Sequence, residues 1–224
     1  CPRNHRRTTP INRIEWLAGI INGTSNFILS EMLYAGREFG EVLAEAQRLG
    51  YAEADPTFDV EGVDAAHKLT ILASIAFGIP LQFDKVHMEG IGQISTDDVA
   101  YASELGFRLK HLGICRREGD GSGLRVHPTL LPELQLLANV DGVMNAVMVN
   151  ADPLGPTLYY GAGAGADPTA SAVVADLVDV VREFTLEPEN RVPYLAFQSH
   201  SLSDEPVVGM EAVDTAYYLR LEAQ

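Results

Sequence analysis

A change of hydrophobic period partway along the chain constrains its fold more than any other feature. Residues 13–21, with Ile14, Trp16, Leu17, Ala18, Ile20 and Ile21, read as a buried strand broken by Asn22-Gly23. From there to about residue 105 the apolar spacing is helical. Thr24 or Ser25 caps a helix that reaches Ala35 with Phe27, Ile28 and Met32 on its apolar face, and Gly36 stops it. Further helices are predicted over 41–49, ending at Gly50, over 62–77, ended by Gly78 and Pro80, and over 97–105 behind Ser95 or Thr96. The acidic segment 51–59, containing Pro56, reads as irregular. Beyond residue 107 the spacing falls to two, which predicts strands over 108–116, 124–131, 145–150 and 157–160, the first two joined as a hairpin by the glycine-rich turn 119–123. Asp167-Pro168, a cap residue followed by proline at the first helical position, opens a helix over 169–183. Pro188 and Pro193 mark a linker, and 216–221 reads as one apolar strand with no partner downstream. Helices first, then a mostly antiparallel or mixed sheet, then one helix is an α+β fold with helices packed on a sheet.

Charge and cysteine usage exclude several roles. With 31 acidic and 16 basic residues among 224, the net charge is −15, and no basic stripe offsets it, so a nucleic-acid partner is not expected. No apolar run is long enough to span a membrane, and the basic start at 1–7 lacks the apolar segment of a secretory signal. Cys1 and Cys115 stand far apart with no CxxC pattern, which points to a reducing, cytoplasmic setting. Asn22-Gly23-Thr24 has the form of a glycosylation sequon, but without a signal peptide it reads as a turn and cap. None of the six histidines has metal-ligand spacing, and Cys115 reads as a core strand thiol.

Two segments could carry chemistry. The densest acidic stretch holds Glu53, Asp55, Asp59, Glu61 and Asp64 and is followed by Lys68. A solvated acidic loop would look the same. However, Asp64 and Lys68 lie four apart on one helix face, and the row continues into Ile71 and Ile75, so the pair is expected to be partly buried. A lysine so placed can exchange a proton with a hydroxyl that becomes a carbonyl, and surplus carboxylates suit a substrate bearing an ammonium group. The second segment runs from Tyr160 to Thr169 and includes Gly161, Gly163 and Gly165 between a strand and a helix start. Amides there can hold an anion such as a dinucleotide phosphate, although the segment is no GxGxxG fingerprint and tight glycine packing would give the same pattern.

These residues resemble one family. The turn Asn22-Gly23-Thr24-Ser25-Asn26 within 19–29, the run Ala44-Glu45-Ala46-Gln47-Arg48-Leu49-Gly50-Tyr51-Ala52-Glu53-Ala54-Asp55-Pro56, the run Asp59-Val60-Glu61-Gly62-Val63-Asp64-Ala65-Ala66-His67-Lys68-Leu69, and the glycine segment 161–170 followed by Ala172-Val173-Val174-Ala175-Asp176 are similar, in this order, to homoserine dehydrogenases. The resemblance covers about 12–182. It implies interconversion of L-aspartate 4-semialdehyde and L-homoserine with NAD or NADP, in threonine, methionine and isoleucine synthesis. It also implies a homo-oligomer, a dimer or higher, built on the substrate domain's sheet. By motif match, Glu53 resembles a homoserine-binding glutamate and Asp59 and Asp64 the other active-site carboxylates. Lys68 resembles the catalytic proton donor, with Asp64 beside it. Gly23 and Thr24 match the turn beside the nicotinamide and substrate, and Gly163 and Gly165 match cofactor-contacting glycines.

The resemblance also implies a domain plan. Residues 1–11 would be a tail or remnant, with Pro10–Ile11 not necessarily a true junction, and 12–160 the substrate-binding and dimerisation domain. Residues 161–186 would return to the nucleotide-binding domain, and 187–224 would be a linker plus the first strand of a truncated ACT domain. No Rossmann glycine fingerprint precedes Asn12, and neither the family's nucleotide-domain lysine nor its monovalent-cation loop is present. The chain is therefore expected to be a piece of the enzyme, with any such cation bound outside it. Two other readings stay open: a non-catalytic dimerisation module with a structural Asp64–Lys68 pair, and a nicotinamide oxidoreductase for another amino-acid semialdehyde.

Overall fold

A computed structural model of the chain describes residues 12–187, 191, 193 and 195–221. The expected tail at 1–11, the Pro10–Ile11 junction and Pro188 lie outside them. The fold is α+β, as the change of period implies. Strand β1 (Arg13–Ile20) leads into α1 (Gly23–Ala35), α2 (Phe39–Arg48), the one-turn α3 (Thr57–Val60) and α4 (Val63–Phe77). The short β2 (His87–Met88) and α5 (Thr96–Glu104) precede the long hairpin β3 (Phe107–Glu118) and β4 (Gly121–Pro132). Then come β5 (Met144–Asp152), β6 (Gly155–Ala162), α6 (Ala166–Phe184) and β7 (Val207–Val208). The sheet runs β2-β4-β3-β1-β5-β6, with β7 also paired to β4. It is antiparallel except where β2 and β7 join β4 in parallel.

Strand β1 is central, between β3 and β5, and both its faces are used. Leu17 and Ile21 point into the core beneath α4, with Leu69, Ala73, Phe77, Cys115 and Val126. Ala18 and Ile20 point to the opposite core, with Leu112, Leu137, Val140 and Ala146. A third core of Ile28, Leu29, Met32, Val42, Val60, Ile91 and Val99 joins α1, α2, α3 and α5. Cys115 is the buried core thiol that its strand position implies.

Several local expectations change. Asn22, not Thr24 or Ser25, caps α1: its backbone is extended and its Oδ1 accepts from the Ser25 amide. Ser95 does cap α5, through a reciprocal box with Asp98. Helix α6 begins earlier than Thr169, behind Gly165 rather than Asp167, because φ of +119° at Gly165 makes the sharp entry only glycine tolerates. The segment 51–59 is not wholly irregular, since its last residues enter α3. The predicted linker beyond 187 holds β7, and the Ser203 amide donates to Gly78 O at 2.7 Å. Residues 216–221 form no strand. Tyr217, Leu219 and Leu221 face solvent, while Tyr218 donates to Asp98 and Arg220 pairs with Asp97 and Asp98 on α5, so no ladder partner is available.

Candidate functional site

The site forms where β1 ends and α1 begins. Leaving the sheet, the chain must present unpaired amides at the start of α1, and Asn22 supplies the acceptor for one of them at 2.8 Å. That orientation turns its amide group outward. Nδ2 donates to Asp59 Oδ1 at 2.7 Å and to Asp64 Oδ2 at 3.0 Å, so one asparagine gathers carboxylates from α3 and α4. The same Asp64 oxygen accepts from Lys68 Nζ at 2.6 Å, and Lys68 also donates to Ile21 O, the last carbonyl before Asn22, at 3.1 Å. Ser25 Oγ donates to Asp59 O at 3.1 Å and holds α3 against α1. Asp59 and Asp64 share the Asn22 amide and only Asp64 also takes Lys68, so the cluster holds one more carboxylate than cation and suits a cationic group.

Asp64 is partly buried, as its helix row suggests, with its side chain 22% exposed, but its partner is less so. The Lys68 side chain is 49% exposed, and Ile71 and Ile75 are 46% and 42% exposed. Helix α4 turns Ala65, Ala66, Leu69, Ala73 and Phe77 to the core instead, and the Asp64–Lys68–Ile71–Ile75 row lies on its other side. Lys68 is thus open to an approaching molecule while anchored at two points.

Thr24 Oγ1 donates to Tyr51 O at 2.6 Å, and Gln47 Nε2 donates to the carbonyls of Glu53 and Ala54 at 3.0 and 3.2 Å. The first contact ties the 51–54 loop to the first turn of α1, and the Gln47 contacts tie it to the end of α2. Glu53 itself is exposed, and among the described residues no bond to its carboxylate joins it to the Asn22 cluster. Gly23 lies against the opposite wall: a Cβ there would stand 2.8 Å from Val143 O. The glycine segment reaches the same place through Asn145, whose Oδ1 would be 3.5 Å from that Cβ and whose amide nitrogen occupies the space a side chain on Gly163 would need. Gly165 has open surroundings apart from Pro168, and no side chain caps the 19-residue helix behind it.

Sequence reasoning missed Asn22 as the hub, although an asparagine between an apolar strand and a helix is a cap signature. It also missed Lys110, which is 1% exposed. Lys110 Nζ donates to Val140 O at 2.6 Å, Asp141 Oδ1 at 2.8 Å and Asn26 Oδ1 at 3.3 Å. Burial pushes its pKa down, while the hydrogen bond and charge of Asp141 pull it back. Its signal was its place two residues before Leu112, on the same face of β3. Among the described residues no group of three or more His, Cys, Asp or Glu could hold a metal ion, and no helix is long and apolar enough to cross a membrane.

Two carboxylates gathered by an asparagine, one of them paired with a lysine, where the central strand of an open α+β sheet meets a helix, make a candidate ligand site. The comparisons place it within one family. The family model for homoserine dehydrogenase matches residues 3–178, starting before the expected residue 12. A homoserine dehydrogenase of Pseudomonas aeruginosa is 70% identical over 213 residues, 95% of this chain and 49% of that protein. The crystal structure of a homoserine dehydrogenase from Thiobacillus denitrificans, 69% identical, covers 90% of this chain and 47% of its own, with a TM-score of 0.87. A hyperthermophilic archaeal homoserine dehydrogenase in complex with NADPH matches at 26% identity and a TM-score of 0.65, over 77% of this chain and 49% of that one. The chain belongs to the homoserine dehydrogenase family. It spans about half the length of the curated relatives it matches.

Proposed function

We propose that this chain carries the substrate site of an NAD(P)-dependent homoserine dehydrogenase, with 12–160 as the substrate-binding and dimerisation unit and 161–186 returning to a nucleotide-binding part. A cytoplasmic setting belongs to this reading. So does a homo-oligomer: β6 is the open edge of the sheet, and Tyr159 and Tyr160 on it are 69% and 61% exposed. The observation that carries the reading is the doubly anchored, half-exposed Lys68 beside Asp64, in one hydrogen-bonded cluster with Asn22 and Asp59.

The glycine segment suits a nicotinamide nucleotide. The start of α6 has no side-chain cap, which leaves the Ala166 and Asp167 N–H groups for an acceptor, and Asn145, packed on Gly163, keeps a buried Oδ1 with no partner among the described residues. NADP and NAD both fit this description. Bound there, a reduced nicotinamide nucleotide would supply the hydride needed to reduce an aldehyde such as L-aspartate 4-semialdehyde. Lys68, as an ammonium, stabilises the charge developing on the aldehyde oxygen and gives it the proton that completes the L-homoserine hydroxyl. Asp64 holds Lys68 in place. Glu53 and Asp59 supply the negative charge that pairs with the substrate ammonium. Gly23 and Thr24 shape the turn on which the substrate rests.

The test is homoserine oxidation by the intact enzyme and its Lys68→Ala variant. In the oxidation direction Lys68 takes the hydroxyl proton back as a general base, and its loss lowers kcat by roughly 10²–10⁴-fold. A kcat within about threefold of wild type rejects the role and favours a structural Asp64–Lys68 pair. Activity only on a different semialdehyde pair rejects the substrate.

A further inference from the structure

Behind the site, one loop is tied down with unusual thoroughness. Residues 140–144 connect the short helical turn Leu136–Asn139 to β5. Asn26 Nδ2, one turn into α1, lies 3.0 Å from Val140 O, 3.0 Å from Gly142 O and 3.1 Å from Met144 O. Ser30 Oγ, which donates to Asn26 O, accepts from the Gly142 amide at 3.0 Å. Lys110 comes up from the sheet and joins Val140 O, Asp141 and Asn26 at once, while Tyr34 OH donates to the other Asp141 oxygen at 2.8 Å. Enclosing a lysine this completely costs several kcal/mol in lost hydration, and breaking such a pair is worse than replacing both members. Packing alone gives no reason for a cation here, since Leu112 fills the next inward position of the same strand.

The loop's position matters because of what it touches. Val143 O is the wall against Gly23, and Gly23 is bonded directly to Asn22. We propose that Lys110, with Asp141, is a positioning residue for catalysis: by clamping the 140–144 loop between β3 and α1 it sets where the first turn of α1 sits, and through Asn22 it sets the placement of Asp59, Asp64 and Lys68. Lys110 touches neither substrate nor cofactor in this scheme and acts only through the loop and Asn22. The inference rests on the reading of Lys68 given above.

The experiment compares wild-type intact enzyme with Lys110→Met, Asp141→Asn and the double variant, each assayed for homoserine oxidation well below its thermal midpoint. Asp141→Asn leaves the buried ammonium with only the neutral acceptors Val140 O and Asn26 Oδ1, so its midpoint falls most. The double variant removes both charges, so its midpoint recovers towards wild type. Activity does not follow. kcat/KM drops by roughly 10–100-fold in Lys110→Met, mainly in kcat, and stays down in the double variant, because neither restores the clamp. A purely structural pair gives the opposite pattern, with kcat/KM recovering alongside the midpoint, and that result overturns the proposal. So does a kcat/KM within about twofold of wild type in Lys110→Met. Lys68→Ala is run in parallel: if it keeps full activity, the site reading itself has failed, whatever the Lys110 variants do.

Discussion

Substituting Gly23 by alanine tests how tightly the turn is built. A Cβ at this position lies 2.8 Å from Val143 O and 3.5 Å from both Val143 C and Asn145 Oδ1. The first distance is shorter than a carbon and an oxygen tolerate, so either the loop or the helix must move. The loop is restrained at Val140, Gly142 and Met144 by Asn26, and at Val140 and Asp141 by Lys110. The start of α1 therefore moves. Overpacking of this kind costs about 1–3 kcal/mol. Alanine's better helix propensity returns less than about 1 kcal/mol at a first-turn position. The net is a destabilisation of about 1–2 kcal/mol, or roughly 2–8 °C in Tm for a chain of this size. The displacement also reaches Asn22, so kcat/KM falls by roughly 10–100-fold. Gly40, also in a first turn, that of α2, with nothing within 4 Å of its Cβ position, is the control, and Gly40→Ala stabilises by less than about 1 kcal/mol. Thermal unfolding and homoserine oxidation of the intact enzyme check both. A Gly23→Ala variant with wild-type Tm and kcat/KM would refute the close approach of Val143 and the argument built on it.

His111 and Cys115 supply two further tests. His111 is 4% exposed and its Nε2–H donates to Glu89 O at 2.9 Å, while Nδ1 is buried without a partner among the described residues, and burial holds its pKa below the ordinary value. Between that ordinary value, about 6.5, and the lower folded one, the unfolded chain binds a proton that the folded chain does not, so stability rises with pH through this window and is lost on acidification. His127 is shifted the same way. His111→Gln should flatten the pH dependence of urea unfolding below about pH 6.5, by up to about 1.4 kcal/mol per pH unit, and an unchanged slope would show that His111 is not the group responsible. Burial raises the Cys115 thiol well above its ordinary pKa, so iodoacetamide should leave it unmodified in the native protein and label it in urea, as mass spectrometry of the peptide containing Cys115 would show.

The long elements were legible because each repeats one period over many residues. The strands β1, β3, β4, β5 and β6 and the helices α1, α4 and α5 lie within a few residues of where alternation, glycines and Ser95 put them. Short elements carry no such signal. The two residues of β2 pair because Arg125 and Val126 lie beside them, and those of β7 because Ser122 and Gly123 do. Residues 216–221 are the converse case. Their alternation is genuine, but Tyr218 and Arg220 turn towards α5 through polar contacts and the apolar members are left outside.

The site divides in the same way. Asp64 and Lys68 were legible as a pair because four residues is one helical turn, whereas Asn22 meets Asp59 and Asp64 across 37 and 42 residues, a distance no local pattern records. Lys110 and Asn26 meet across 84. One turn of α1 nevertheless connects these contacts. Asn22 takes the carboxylates on the open side, Asn26 takes the loop on the closed side, and Ser25 holds α3 between them. Because Gly23 separates the two sets of contacts with no side chain to absorb a shift, a displacement on the closed side has nowhere to go except into Asn22. Under the proposed reading, residues that never face a substrate therefore set the geometry of those that do.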